Sequence, residues 1–203
     1  MKHTTLCLLT LAVLASPLAA QSRITINLYD AAGLRADHRQ AMKQETSKIL
    51  QQAGVELDWV ECELAGQPLN QPECARPLSA GRLMLQLAPG ANKKNAKATG
   101  MAIIQPGSSF FACLYPQRVK DLASDANWDF AELLGHAAAH EIGHLLLESN
   151  HHSPAGIMRA RWETGDLRRL SHNGLVFLSG QLGSVLARFT PAQETTTNAL
   201  SAR

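Results

Sequence analysis

Five consecutive residues, His140-Glu141-Ile142-Gly143-His144, carry side chains that together can hold and use a metal ion. On a helix the two histidines are separated by one turn plus about 40°, so both imidazoles face one point. Two neutral imidazoles at this spacing can supply two ligands of a tetrahedral zinc ion, and the adjacent carboxylate can reach a water molecule. The segment therefore predicts a Zn²⁺ site with His140 and His144 as ligands and Glu141 as general base.

A match of this length is not decisive, because a buried helix can also hold histidines for packing. Here the surroundings favour the metal site. The segment 127–148 has too many apolar residues for a surface helix, so we expect the motif on a central helix. His136 lies one turn before His140, but Ala137 follows it where a base would be needed. We therefore interpret His136 as a packing residue or as one that supports a ligand.

A catalytic zinc ion takes three protein ligands and keeps a fourth position open for water, so a third ligand is needed. Two histidines, His151 and His152, stand shortly after the helix, and either can turn back towards the metal. Asn150 before them is a residue type that tolerates the positive φ angle of a tight turn. An acidic ligand, Glu163 or Asp166, is a minor alternative.

The stretch HEIGHLLLESNHHSPAGIM resembles the metzincin clan of zinc peptidases, and most of all its matrixin-type members. In that clan a glycine turn, a third histidine often followed by serine, and a methionine-containing turn follow the helix motif. The matching residues here are His152 with Ser153, and Met158. The resemblance implies His152 as the third zinc ligand, Met158 as a platform that does not bind the metal, and hydrolysis of peptide bonds as the activity.

This chain departs from the clan in the turn before the third histidine. The usual spacing places a glycine at position 147 and the third histidine at position 150, where this chain has Leu147 and Asn150. The turn must therefore be longer by about one or two residues, which keeps His151 open as the alternative to His152.

Three large side chains, Arg159, Arg161 and Trp162, follow the methionine. Each is a candidate for contact with a substrate or an oxyanion. Because arginines are mostly solvated and tryptophans mostly pack, we interpret them as surface and packing residues.

The chain before the motif shows strand and helix patterns. A polar segment with one apolar face, Asp37 to Ala53, predicts a surface helix that ends at Gly54. Short alternating or apolar segments predict about five strands, near residues 24–28, 55–59, 83–87, 101–104 and 110–115. One helix and about five strands are thus expected before the central helix.

Beyond the motif, residues 167–189 are mixed and read as mostly helical, and Thr190 begins a last helix to about Ala202. Together with the resemblance, this order predicts an α+β, metzincin-like fold. We expect an about five-stranded mixed sheet packed on two helices, then a smaller, mostly helical C-terminal part. By analogy with the clan, an extended peptide would lie along an edge strand, for which residues 101–115 are the candidate.

The first residues have the order of a secretory signal peptide. Lys2 and His3 precede an apolar run and small residues up to Ala20, which predicts cleavage before Gln21. The apolar run is too short for a membrane-spanning helix of ~20 residues. We therefore expect a signal peptide at 1–20 and one metallopeptidase-like domain at 21–203, with its cleft near 140–158, in the periplasm or outside the cell.

Export would oxidise the cysteines. Cys62 and Cys74 flank a loop rich in Pro, Gln and Asn, so a disulfide between them is the preferred pairing. Cys113, among apolar neighbours, would then be a buried free thiol. Disulfides that include Cys113 stay open as alternatives. A further alternative is that the Cys113 thiol is a catalytic nucleophile.

Charge and composition limit the partners. The formal net charge is +2 with no basic block, which argues against a nucleic-acid partner, and no later apolar run could span a membrane. The favoured hypothesis is a zinc-dependent endopeptidase acting on peptides or proteins. The alternative is a non-catalytic protein that binds peptides or proteins and holds zinc as a structural ion. Glu141 argues against this alternative, because a structural zinc site does not need a general base. A cysteine hydrolase built on Cys113 is a third class.

Overall fold

The computed structural model describes residues 22–63, 71–90, 98–105, 107–108, 110–162 and 175–187. The expected signal peptide, Glu163, Asp166 and the expected last helix lie outside these described residues. The described elements are β1 (Ser22–Asp30), α1 (Ala36–Gln52), β2 (Val55–Cys62), a short 3-10 helix (Pro72–Ala75), β3 (Arg82–Leu87), β4 (Gly100–Ile103), β5 (Phe111–Leu114), α2 (Pro116–Ala126), α3 (Phe130–Leu147) and α4 (Ser179–Ala187).

The five strands form one sheet in the order β2-β1-β3-β5-β4. β1 pairs in parallel with β2 and β3, and β3 pairs in parallel with β5, whereas β4 runs antiparallel to β5. The predicted α+β class and the five-stranded mixed sheet are therefore confirmed. β4 lies at one edge of the sheet, so the segment 101–115 does contain an edge strand.

The core lies between the sheet and the helices α1 and α3. Alternating residues of β1 and β3 are buried there, namely Ile24, Ile26, Leu28, Leu83, Leu85 and Leu87. α1 and α3 approach each other closely at Gly135, where an added Cβ would come 2.6 Å from the Cβ of Glu45. The hydroxyl of Thr46 donates to the carbonyl of Met42 and lies 3.1 Å from the carbonyl oxygen of Gly135. α3 is thereby fixed against α1 on one side while it contacts β4 and β5 on another.

α2 was not predicted, and the central helix begins later than expected. The sequence of α2 is mostly polar, but Val119 and Ala123 are buried, which gives this short helix its apolar face. Asn127 ends α2 in the left-handed conformation with φ 51°. α3 therefore starts at Phe130, where the side chain of Asp129 accepts a hydrogen bond from the backbone N–H of Glu132.

The preferred disulfide is present. Cys62 and Cys74 are bonded with their Cα atoms 5.7 Å apart, which ties the end of β2 to the 3-10 helix. Cys113 is a buried free thiol, so a pairing through Cys113 is wrong.

The C-terminal segment is helical where it is described. α4 occupies Ser179–Ala187, and the preceding residues 175–178 form no regular element. Leu175 and Phe177 are buried in the core, and the backbone N–H of Ile157 donates to the carbonyl of Val176. This segment therefore holds the turn around Met158. Within the described residues, no helix is long and apolar enough to cross a membrane.

Candidate metal centre

α3 carries the HExxH motif and is a central helix, as predicted. Of its 18 residues, 15 are buried. His140, Glu141 and His144 are each less than a tenth exposed. The motif therefore lies inside the molecule, with its polar atoms reaching a cavity at the surface.

His140 and His144 converge as their spacing predicts. Their Nε2 atoms are 3.1 Å apart, and their rings meet edge to face with centroids 4.7 Å apart. Two nitrogens that each lie about 2 Å from one zinc ion are separated by a gap of this order. The pair thus has the geometry of two ligands of one ion.

Backbone carbonyls fix the protonation of both rings. The Nδ1 of His140 lies 2.7 Å from the carbonyl oxygen of Ile157, and the Nδ1 of His144 lies 2.7 Å from that of Ser149. A carbonyl oxygen only accepts, so each Nδ1 must donate its hydrogen. Each Nε2 of the neutral ring is then left with a lone pair for a metal.

Burial keeps these imidazoles neutral at pH 7. It lowers the pKa of His140 to about 4, although the hydrogen bond to Ile157 opposes the shift. Burial also lowers the pKa of His144. Neutral imidazole is the form that binds metal, so the two side chains are prepared for it.

His152 joins the pair. The ligand atoms of His140, His144 and His152 all lie within 4.8 Å of one another. The ring centroid of His152 is 5.4 Å from that of His140 and 4.9 Å from that of His144. His151 does not belong to this group. Three imidazole nitrogens are a donor set suited to Zn²⁺, so the site fits this metal.

A left-handed residue after α3 starts the turn that brings His152 back. Glu148 has φ 46° at the C-cap, and the backbone N–H of Ser149 donates to the carbonyl of His144. Asn150, expected to take the positive φ angle, does not. The reversal therefore begins two residues earlier than expected, which leaves enough chain for the lengthened turn to reach the metal site.

Met158 packs against the motif helix at Gly143. It is fully buried, and an added Cβ on Gly143 would come 2.6 Å from its Sδ and 2.8 Å from the ring of Phe177. The backbone N–H of Ser153 donates to the carbonyl of Met158, which closes the turn. The methionine thus lies next to Gly143, which stands between the two helix histidines in the sequence.

His136 faces α1 and lies outside the histidine group. It is fully buried, and its Nδ1 lies 3.0 Å from the carbonyl oxygen of Glu132. Its Nε2 lies 3.9 Å from Oε1 of Glu45 and has no hydrogen-bond partner among the described residues. The interpretation of His136 as a packing residue agrees with this position.

Glu141 lies against the edge strand at Gly100. A Cβ added to Gly100 would come 2.7 Å from Cγ and Oε1 of Glu141 and 2.8 Å from the carbonyl oxygen of Cys113. Only a residue without a side chain leaves this room. Burial also raises the pKa of Glu141 to about 8 in the absence of metal. Gly100 was not predicted as a site residue; it directly precedes the predicted strand at 101–104 and is the first residue of β4.

An open cavity of about 690 Å³ joins these groups. His140, Glu141, His144 and His152 line it, together with residues of three other segments. β4 contributes residues 100–102, α2 contributes Arg118 and Leu122, and the chain after Met158 contributes residues 159–162. Arg159, Arg161 and Trp162, interpreted above as surface and packing residues, therefore face the candidate site. α2 was not predicted, so its part in the cleft was missed.

Cys113 is a poor candidate for a nucleophile. Its side chain is buried, and burial together with the charge of Glu141 raises the pKa of its thiol. A thiol that stays protonated is weakly nucleophilic. The structure thus gives no support to a cysteine hydrolase.

No protein-family model and no curated protein matches this chain. Its fold is nevertheless similar to that of solved structures. A zinc-dependent peptidase from Methanocorpusculum labreanum aligns with a TM-score of 0.55 and 15% identity over 79% of this chain and 99% of that chain. Metalloproteinase-II from Bacteroides fragilis aligns with a TM-score of 0.54 and 12% identity over 84% of this chain and 54% of that one.

Archaemetzincin from Methanopyrus kandleri aligns with a TM-score of 0.52 and 14% identity over 84% of this chain and 98% of that chain. At such low identities these similarities establish the fold alone. The chain has an α+β fold shared with zinc-dependent peptidases. The similarities do not single out the matrixin-type members that the sequence resembles most.

Proposed function

We propose that this protein is an exported zinc-dependent endopeptidase in which His140, His144 and His152 hold the metal and Glu141 is the general base. One observation carries the proposal. Three imidazoles converge on one point beside a buried carboxylic acid, and all four side chains line one open cavity. The fold shared with zinc-dependent peptidases supports this assignment.

When bound, zinc would polarise the substrate carbonyl and lower the pKa of a water molecule towards ~7. Glu141 accepts a proton from the attacking water and then delivers it to the leaving amine. A cation in the histidine group favours the ionised carboxylate that this role requires, against the effect of burial. The missing side chain of Gly100 leaves room for Glu141 in this position.

β4 provides a surface for the substrate. It is the edge strand, and residues 100–102 line the cavity above α3. An extended peptide can add to such an edge by backbone hydrogen bonds, which bind without regard to most side chains. An open cleft of this kind suits cleavage within a peptide chain.

The finer parts of the proposal rest on the sequence resemblance. Met158, packed against Gly143, takes the part of the platform beneath the metal in the matrixin-type members. The order of residues 1–20 supports a signal peptide and hence export to the periplasm or the exterior.

The arrangement weighs against a purely structural zinc site. Such a site has four protein ligands, and His151 was the residue that could have closed the fourth position. His151 is exposed and does not join the histidine group. Among the residues that the structure describes, His140, His144 and His152 alone form the group, which leaves a fourth position for the water that catalysis requires.

Cleavage of a mixed peptide library by the zinc-loaded mature protein tests the proposal. We expect Glu141→Gln to bind the same amount of zinc and to lose cleavage. Glu132→Gln, on the same helix but outside the cavity, is the matched control and should keep it. If the wild type holds one equivalent of zinc and cuts no peptide, the enzyme proposal fails and the binding protein takes its place.

A further inference from the structure

We infer that the cleft selects substrates that carry a carboxylate close to the cleaved bond, and that Arg118 and Arg161 bind this group. The inference rests on the proposed function, because it names the substrate class of the same site. It makes the two arginines specificity-determining residues.

The charge of the cavity is the first observation. Among the described residues that line it, Arg118, Arg159 and Arg161 are cations, and Glu141 is the one acidic residue. Glu141 is committed to the proposed chemistry. What remains for the side chains of a substrate is a surface with positive charge, which attracts anionic groups and repels cationic ones.

Arg118 is only partly engaged by the protein. Its Nη1 donates to Oδ2 of Asp121 over 2.8 Å, in a pair whose side chains are 38% and 44% exposed. Exposed pairs of this kind bind weakly, so the guanidinium can take a further partner. Its Nε is shielded from solvent and has no hydrogen-bond partner among the described residues. A ligand cannot reach this shielded Nε, but the Arg118 side chain is partly exposed, and a carboxylate can bind the accessible part of a guanidinium by charge-assisted hydrogen bonds.

Arg161 comes from a separate segment. It follows the Met158 turn, is exposed, and makes no ion pair with the residues that the structure describes. Two large apolar side chains line the cavity near the arginines in sequence. Leu122 lies one helical turn after Arg118, and Trp162 directly follows Arg161. The cavity wall that carries the two arginines thus also has apolar side chains, against which the methylene groups of a glutamate can pack. We give Arg159 no part, because it already interacts within the protein.

The carboxylate has two chemical sources, an acidic side chain and the free C-terminus of a peptide. Both present the same planar pair of oxygens to a guanidinium. A side chain would make the protein an endopeptidase that prefers acidic sequences. A terminal carboxylate would make it release short C-terminal fragments.

Binding to the zinc-loaded Glu141→Gln protein separates these sources without turnover. The probes are fluorescein-labelled peptides of one length in which a single position carries Glu, Gln or Lys, each with a free or an amidated C-terminus. Fluorescence anisotropy at low salt gives their dissociation constants. We expect one Glu or free-carboxylate peptide to bind about 10-fold more tightly than its neutral counterpart, and the Lys peptide to bind most weakly.

Arg118→Gln and Arg161→Gln should each reduce this preference, and the double variant should abolish it. Arg76→Gln is the control, because it removes the same charge from an exposed ion pair outside the cavity and should leave the preference unchanged. Equal affinity for acidic and neutral peptides overturns the inference. A preference that survives the double variant also overturns it, because the carboxylate would then be bound by a group other than Arg118 and Arg161.

The two proposals fail in different ways. If the protein prefers carboxylate-bearing peptides through the two arginines but the wild type cleaves no peptide, the inference stands and the proposed enzymatic activity fails. If the wild type cleaves acidic, neutral and basic peptides equally well, the proposed enzymatic activity stands and the inference fails.

Discussion

Gly100 determines where the side chain of Glu141 can lie. The two residues are far apart in the chain, and they meet where the edge strand crosses the motif helix. A methyl group on residue 100 would overlap both the base and the carbonyl of Cys113, which is backbone and cannot turn aside. The position of the proposed general base therefore depends on the absence of a side chain at residue 100 of the neighbouring strand.

Gly100→Ala should lower kcat/KM by about 10- to 100-fold, because a displacement of Glu141 by a fraction of an ångström misplaces the proton transfer. Zinc content should stay near the wild-type value, since no ligand is touched. Gly90→Ala is the control, because a Cβ there meets nothing within 4 Å. Unchanged kcat/KM in Gly100→Ala would show that Glu141 does not need this position.

The buried carboxylic acid gives the metal-free protein a specific dependence on pH. The pKa of Glu141 is about 8 in the folded protein against an ordinary value of 4.5. Between these values the unfolded chain has lost a proton that the folded protein keeps, so the free energy of unfolding falls as pH rises. The stabilisation of the folded state by the protonated Glu141 is fully present below pH 4.5 and is lost as the pH rises to about 8.

Urea unfolding of the wild type and Glu141→Gln in chelator tests this dependence. The difference in free energy of unfolding, wild type minus variant, should fall between about pH 5 and about pH 8 by at most ~1.4 kcal/mol per pH unit. The neighbouring histidines titrate in both proteins and cancel in the difference. A difference that is flat or that rises would mean that Glu141 is ionised in the metal-free protein.

His152 and His151 should differ sharply in their effect on zinc binding. We expect His152→Ala to lower the affinity for zinc by more than ~10- to 100-fold, the loss that is typical when a residue hydrogen-bonded to a ligand is removed. His151→Ala should have little effect, because this side chain lies outside the histidine group. Competition with a chromophoric chelator measures both affinities. The reverse order would assign the third ligand to His151.

The helix motif could be predicted from the sequence because its chemistry is local. His140 and His144 converge through helix geometry alone. The carbonyls of Ile157 and Ser149, which orient the two rings, could not be predicted, because every residue has a carbonyl and only the fold selects one. The choice between His151 and His152 depended on the path of a turn that departs from the clan pattern.

At the scale of elements, the Met158 turn is packed against α3 with no space left over. Gly143→Ala would push a methyl group to 2.6 Å from the Sδ of Met158 and against Phe177. Overpacking of this kind costs about 1–3 kcal/mol of unfolding free energy. We expect this loss in urea unfolding, together with weaker zinc binding because the turn also holds the carbonyl that orients His140.

Gly183→Ala in α4 is the opposite case and serves as the control. A Cβ there meets nothing within 4 Å, so the higher helix propensity of alanine should stabilise the protein by up to about 1 kcal/mol. If both variants behaved alike, the contact between Gly143 and Met158 would not limit the packing.

The elements that bury regular apolar patterns could be predicted, and the one that does not was missed. Apolar residues alternate with polar ones along most of β1 and β3, and α3 is mostly apolar, so their burial could be predicted from the sequence. α2 buries few residues and is otherwise polar, which makes it resemble a loop. Its helical form depends on Pro116 at the first turn and on the contact with α3, and the second of these is tertiary.

At the scale of the molecule, the sheet separates the disulfide from the cleft. Cys62 ends β2 at one edge, and β4 forms the other edge, beside the histidines. Replacement of both cysteines by serine should lower the free energy of unfolding by about 3 kcal/mol, because a short loop is no longer closed in the unfolded chain. Zinc affinity and kcat/KM at low temperature should stay near wild-type values. A large loss of either would show that the two edges are coupled.

The overall architecture followed from the order of elements together with the resemblance around the motif. Strand order was beyond the sequence patterns, because parallel pairs such as β1 with β3 join segments that are distant in the chain. The solved structures share the fold with this chain. They do not distinguish matrixin-type members from other zinc-dependent peptidases, so that resemblance rests on the sequence around the motif.

The three histidines come from one short stretch, His140 to His152, whereas the wall of the cleft is formed by segments that only the complete fold brings together. An unfolded chain therefore keeps much of its capacity to chelate zinc after it has lost the cleft. Metal that also binds the denatured ensemble protects the native state less than its affinity implies. For preparations of this protein, full metal occupancy is a poor gauge of native content. Only the capacity to bind a peptide or to cleave it counts the correctly folded molecules.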